Sequence, residues 1–228
     1  MDLQKPKVLI FASGTKNGGG SGFRNLILQN RRGVTSINYV GVVSNHENGG
    51  VRDIAEELGI PFYYSPTSSW TAEKYQEVAA RSGADYFALS GWMIKIKGLD
   101  LNTKFNQKTV FNIHPAPLPR FGGQGMYGIH AHEAVWASFL MGEITETEIT
   151  MHFVDEEFDH GLVIFRLHIS FEGVNSPEEL AQKVNKYEHM YQAYITNLIV
   201  NGLLSWDGIN PESLIVPLSY QIDHKVAA

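Results

Sequence analysis

Asn112 and His114 stand two residues apart in the stretch from Thr109 to Arg120, TVFNIHPAPLPR, where a β-branched and aromatic run gives way to a proline-rich loop. In a strand of period two, residues i and i+2 share a face, so the amide and the imidazole point the same way while Phe111 and Ile113 face the opposite layer. Pro115, Pro117 and Pro119 lack the N–H that a ladder needs, and the chain must leave the sheet just beyond His114. Alone, an Asn and a His at a strand end need do no more than hydrogen-bond the loop. Here they have company: a second polar strand end, Thr150-Met151-His152, and an acidic loop, Asp155-Glu156-Glu157-Phe158-Asp159, closed by Gly161. An Asn, a His and an Asp arriving from separate loops can stabilise an oxyanion, move a proton and tune the proton carrier.

Other chemistries fit the residues less well. His130 and His132 form a His-x-His pair at a helix start, where two residues apart means about 200° of rotation, and no HExxH spacing accompanies them. The acidic run lacks the alternating Asp/Asn pattern and the final glutamate of a calcium loop. No GxSxG elbow is present, and Ser90 before Gly91 has no obvious base. Cysteine is absent, which removes disulfides, thiolate nucleophiles and thiolate metal sites together. No metal is expected.

The elements that must position these groups read as an alternation of strands and helices. KVLIFAS, from Lys7 to Ser13, is a continuous apolar run of the kind a parallel strand shows when both faces are covered. It ends in Gly14-Thr15-Lys16-Asn17-Gly18-Gly19-Gly20-Ser21-Gly22, followed by a helical pattern from Phe23. Such a loop lets backbone N–H groups and a helix N-terminus surround an anion, most often phosphate. It matches neither GxGxxG nor GxxxxGK[ST], and a plain surface loop fits the same residues. Strands are expected at 37–44, 61–65 and 86–90, with helices at 51–58 and from the Thr71 cap to Arg81 between them. Beyond the glycine-bearing loop from Phe121 to Tyr127, a helix runs from Gly128 to Gly142. Thr147 to Val154 and Leu162 to Ser170 then read as an antiparallel pair flanking the acidic loop. Ser176-Pro177-Glu178-Glu179 starts a long helix to Val200 whose surface carries Asn185, Glu188 and His189 near one another. The fold class is α/β: a Rossmann-like, mostly parallel sheet flanked by helices, with an antiparallel C-terminal strand pair.

At 228 residues, 43% hydrophobic and 18% charged, the chain has the composition of one globular domain with a C-terminal extension. A net charge of -6 offers no electrostatic footprint for nucleic acid or an anionic membrane. No apolar segment reaches spanning length, and the opening residues lack a signal-type apolar region, so a cytoplasmic protein is expected.

FNIHPAPLPR, IHAHEAV, ITMHFVDEEFDHGLVI and KVNKYEH together resemble the folate-dependent formyltransferase superfamily, over roughly Val8 to Asn201. The specific features are the NIHP strand end and the HFVxxxxDxG that follows it; the His-x-His before the helix is similar to the branch acting on glycinamide ribonucleotide. The resemblance implies attack by the glycinamide amine on the formyl carbon of 10-formyltetrahydrofolate, with small-molecule partners only, in a monomer or homodimer. It implies that Asn112 binds the formyl oxygen, that His114 is general acid and proton shuttle, and that Asp159 holds His114 and raises its pKa. It places the folate against Met93, Ile94, Lys95, Ile96 and the loop of Asp155, Glu156, Glu157, Phe158 and Asp159. Gly20, Ser21 and Gly22 would cradle the ribonucleotide phosphate, and Asn185 and Glu188 would reach the glycinamide. The expected division of the single domain is a phosphate-binding half at 1–108, a catalytic and folate half at 109–203, and a tail at 204–228.

Overall fold

Lys7–Phe11 forms β1, the strand on which the rest of the sheet is laid. In the computed structural model, which describes residues 5–226, β1 pairs in parallel with both β2 (Asn38–Ser44) and β4 (Tyr86–Leu89). Also in parallel, β3 (Phe62–Tyr64) adds beyond β2 and β5 (Val110–His114) beyond β4. The sheet continues in antiparallel sense through β6 (Glu146–Phe153) and β7 (Val163–Ser170). A short β8 (Asp223–Lys225) lies parallel to β7 at the edge, giving the order β3-β2-β1-β4-β5-β6-β7-β8. The residues read as a tail therefore supply an edge strand.

Alternation along β1 shows why its apolar run is continuous. Val8, Ile10 and Ala12 enter one buried cluster and Leu9 and Phe11 the other, so both faces are covered. The first cluster is completed by α1 (Ser21–Arg31), α2 (Gly50–Leu58), α4 (Ile129–Leu140) and α5 (Pro177–Val200). On the opposite face, α3 (Ala72–Ser82) packs with Trp70, Trp92 and Phe105. Local signals set the helix ends. Thr71 accepts the Lys74 N–H, Ser176 accepts the Glu179 N–H with Pro177 behind it, and Gly59 and Gly83 take the left-handed conformation after α2 and α3.

The chain builds outward from β1 through β2 and β3, then returns to add β4 and β5 on the other side. Loops leaving β1 and β4 therefore diverge and open a crevice at the carboxyl ends of the strands. In β5, Phe111 and Ile113 join the first cluster, whereas Asn112 and His114 lie on the other face. Antiparallel β6 sets His152 opposite Asn112 and Thr150 opposite His114. The proline loop is tied down at two points: Thr150 Oγ1 donates to Ala116 O at 3.0 Å, and Arg166 Nη1 donates to Leu118 O at 2.9 Å. Among the described residues, no helix is long and apolar enough to cross a membrane.

Candidate active site

His114 is buried, with its ring held from both sides. Nε2 lies 2.7 Å from Phe121 O, and since a carbonyl can only accept, Nε2 carries the proton. Nδ1 lies 3.5 Å from Asp159 Oδ1. The same oxygen accepts from Asn112 Nδ2 at 3.3 Å, while Oδ2 accepts the Gly123 N–H at 3.1 Å. His152 donates Nδ1–H to Phe153 O at 2.8 Å, which leaves Nε2 as an acceptor for Asn112 Nδ2 at 3.1 Å. That tautomer dictates the Asn112 amide: its hydrogens go to His152 and Asp159, and Oδ1 has no hydrogen-bond partner among the described residues.

The backbone around Asp159 explains the glycines beside it. Asp159 has φ 54, the one non-glycine residue in the left-handed region among those described. A Cβ at Gly161 would lie 1.9 Å from Phe153 O, so only glycine lets the chain turn back against β6. A Cβ at Gly122 would lie 2.5 Å from Leu118 Cδ2 and 2.9 Å from Asp159 Cβ, so the 121–128 loop needs glycine to close onto the acid.

Electrostatics add an opposing effect to one expectation. Burial pushes the His114 imidazole below its ordinary value, and the upward pulls of the Asp159 carboxylate and the Phe121 carbonyl do not overcome it. The upward pull expected of Asp159 is present, but desolvation of the buried ring, which the sequence does not display, outweighs it. For Asp159, burial alone would raise the carboxyl, but His152, His114 and the Gly123 amide outweigh it and hold the group below its ordinary value. His132, also buried, is pushed down to about 4 by burial with the charge of His114 adding to it, and its Nδ1 has no partner among the described residues.

His114, His132 and Asp159 line a cavity of about 790 Å³, a volume suited to small molecules. Gly20, Ser21 and Gly22 line the same cavity. Gly20 caps α1 in a left-handed conformation with no side-chain bond, so the first N–H groups of the helix have no side chain capping them at the cavity wall. From α5 come Asn185, Glu188, His189 and Gln192. Burial pushes the Glu188 carboxyl up to about 7, and its one side-chain partner is Asn185 Nδ2 at 3.4 Å. The expected surface cluster on α5 thus faces the cavity.

Of the residues expected around folate, Met93, Asn112, Phe158 and Asp159 reach the cavity wall. Ile94, Lys95, Ile96, Asp155, Glu156 and Glu157 do not line it. Ile96 is in the core. Lys95 Nζ meets Glu157 Oε2 at 3.4 Å, and Glu156 Oε1 accepts from Gly98 N at 2.6 Å and Leu99 N at 3.1 Å. Asp155 Oδ2 lies 2.6 Å from His160 Nδ1. These carboxylates tie the acidic loop to its neighbours and to itself. Ser90, Gln192 and His132, all on the cavity wall, are given no catalytic or binding role by the sequence, which singles out His152 only as part of a polar strand end. The period-two spacing in ITMHF puts His152 on one face with Thr150, whereas nothing local marks Gln192. Among the described residues, no group of three or more His, Cys, Asp or Glu side chains is arranged to hold a metal ion.

Comparison with known proteins bears on the family and the fold. The formyl transferase family model matches residues 6–198. Phosphoribosylglycinamide formyltransferase, chloroplastic, of Arabidopsis thaliana is 31% identical over 214 residues, covering 90% of this chain and 70% of that protein. The trifunctional purine biosynthetic protein adenosine-3 of Bos taurus is 31% identical over 206 residues, which are 87% of this chain and 19% of that protein. A solved phosphoribosylglycinamide formyltransferase of Coxiella burnetii superposes with a TM-score of 0.79 at 21% identity, covering 98% of this chain and 100% of that one.

Proposed function

Because the chain belongs to the formyl transferase family and is a folate-dependent formyltransferase, we propose that it transfers the formyl group of 10-formyltetrahydrofolate to the amine of glycinamide ribonucleotide, a step of purine synthesis. The observation that carries the proposal is one cavity lined both by Asn112 and His114, each in contact with Asp159, and by the residues at the uncapped N-terminus of α1. The first suits acyl transfer and the second a phosphate.

His114 is neutral at working pH, with Nε2–H fixed on Phe121 O, so Nδ1 is the nitrogen that accepts a proton. It takes one from the attacking amine and returns it to the departing folate nitrogen. Asp159, beside Nδ1, stabilises the imidazolium while it exists. Of the two Asn112 amide hydrogens, the one shared with Asp159 at 3.3 Å is the longer bond and the one available to the formyl oxygen as negative charge develops there. His152 keeps the other, and with it the orientation of the amide. On the acceptor side, the N–H groups of Ser21 and Gly22 receive the phosphate, and Asn185 and Glu188 bracket the glycinamide. Cytoplasmic residence and a monomeric or homodimeric state belong to the same proposal; cell fractionation and light scattering test them.

Steady-state turnover, followed by the folate absorbance change, tests the acceptor directly. Glycinamide ribonucleotide is set against a panel of amino-sugar nucleotides. Turnover with the ribonucleotide alone is expected. Turnover only with an amino sugar would keep the catalytic set and overturn the acceptor, and binding of folate without any turnover would overturn the enzyme assignment.

A further inference from the structure

Directly beneath the first turn of α1 lies a buried polar pair that the reaction does not use. Ser90, at the end of β4, donates from Oγ to Gln192 Oε1 of α5 at 3.3 Å, and Gln192 Nε2 donates to Leu89 O at 3.4 Å. Both side chains are buried, with 8% and 1% exposure, and both belong to the cavity wall. A buried amide and hydroxyl cost free energy unless bonded, and an apolar pair would fill the same space without that cost. What sits on them is Gly22. A Cβ there would lie 2.3 Å from Ser90 Oγ and 3.3 Å from Gln192 Oε1, whereas Ser90 Cβ is 3.7 Å away. The hydroxyl is therefore the main obstacle to a side chain at 22, with the Gln192 amide oxygen a lesser one. One turn further on, Asn25 Nδ2 donates to His189 O at 2.6 Å, a second tether of α1 to α5.

We propose that Ser90 and Gln192 are positioning residues that seat the N-terminal turn of α1 at the cavity wall, and that Gly22 is coupled to the Ser90 hydroxyl, so that the three together set affinity for the acceptor's phosphate. This rests on the glycine loop being the phosphate cradle. Relieving a Cβ contact of 2.3 Å with the Ser90 hydroxyl moves the turn, which swings the N–H groups of Ser21 and Gly22 off the anion while leaving His114 and Asp159 untouched.

A double-mutant cycle tests it by isothermal titration with ribose 5-phosphate, alongside acceptor KM, kcat and thermal unfolding. Gly22→Ala is expected to weaken ribose 5-phosphate binding about 10-fold in the Ser90 protein and less than about 3-fold in the Ser90→Ala background, because the two sites touch. Equal losses in both backgrounds would overturn the proposal, as would a wild-type chain with no affinity for ribose 5-phosphate. If Gly22→Ala does not fold, Gln192→Leu leaves position 22 intact; it is expected to raise the acceptor KM with kcat within about 2-fold, the signature of lost uniform binding. A fall in kcat at unchanged KM would overturn the positioning role. Coupling without turnover of glycinamide ribonucleotide sinks the acceptor assignment alone, and turnover without coupling sinks this inference alone.

Discussion

A carboxylate 3.5 Å from an imidazole normally favours the charged ring, yet in His114 burial is the larger effect and the ring stays neutral. The consequence is a base that is ready at neutral pH. Asp159→Asn removes one upward pull, so the His114 pKa falls further and the acid limb of kcat/KM moves to lower pH. Since the imidazolium also loses its partner, kcat is expected to drop about 10²-fold or more. A pH–rate profile checks both, and an unmoved limb at full rate would take Asp159 out of the mechanism. Glu188 carries the opposite perturbation, from 4.5 to about 7. Below about 4.5 it is protonated folded or unfolded and costs nothing. Between 4.5 and 7 the unfolded chain ionises while the folded one does not, so stability falls through that window and the loss, at most about 3 kcal/mol, is complete above 7. Glu188→Gln is therefore expected to raise Tm at pH 8 and leave it unchanged at pH 4, read by calorimetry at both values. At this scale the sequence disclosed which side chains share a strand face, as with Asn112 and His114. It could not disclose how deeply each is enclosed, and enclosure decides the sign of the shift at His114.

Elements defined by neighbours in sequence were the legible ones. Ser176-Pro177 opens α5 and Thr71 opens α3 because a cap is a contact three residues long. The acidic loop was legible as a loop but not in its contacts: Glu156 reaches Gly98 and Leu99, 58 and 57 residues away, which no local pattern reports. Gly161 looked like a simple terminator. Its real constraint is the carbonyl of Phe153 across the turn, 1.9 Å from where a Cβ would sit. Gly161→Ala must push the turn off β6, breaking the Phe153 N to Leu162 O bond and displacing Asp159. Lower Tm together with lost turnover is expected, and a variant stable and active within about 2-fold would show the turn to be soft. Thr150→Val isolates the proline loop instead. It keeps the shape but leaves the Ala116 carbonyl without its donor at 3.0 Å, a destabilisation of about 1–2 kcal/mol in urea unfolding.

Across the whole molecule, the cavity and the C-terminal segment lie on different parts of one sheet. The cavity is walled entirely by residues between Gly14 and Gln192, at the strand ends around β1, β4 and β5. β8 lies beyond β7 at the sheet edge, and its three residues, Asp-His-Lys, carry no apolar alternation by which a sequence could announce a strand. Its hold is tertiary. Arg166 N–H donates to Ile222 O at 2.7 Å, the Tyr220 hydroxyl donates to Ile164 O at 2.6 Å, the His224 ring lies 5.1 Å from that of Phe165, and Lys225 Nζ is 3.6 Å from Glu146 Oε1. Removing residues 218–228 would strip these contacts together and leave β7 with a row of unpaired backbone groups, the template on which edges associate. The truncated chain is expected to unfold at lower temperature and to aggregate with increasing concentration. Freshly prepared at low concentration, it should keep both KM values within about 3-fold, since no cavity-wall residue has been removed. One link crosses between the two regions: Arg166 binds Leu118 O in the proline loop and lies 3.9 Å from Asp223 of β8. Glu148, 3.0 Å from Arg166, keeps that guanidinium in place without Asp223, which is why the loss is expected in stability and not in catalysis. A truncated chain with unchanged Tm and a collapsed kcat would reverse that assignment and make the edge strand part of the active site's support.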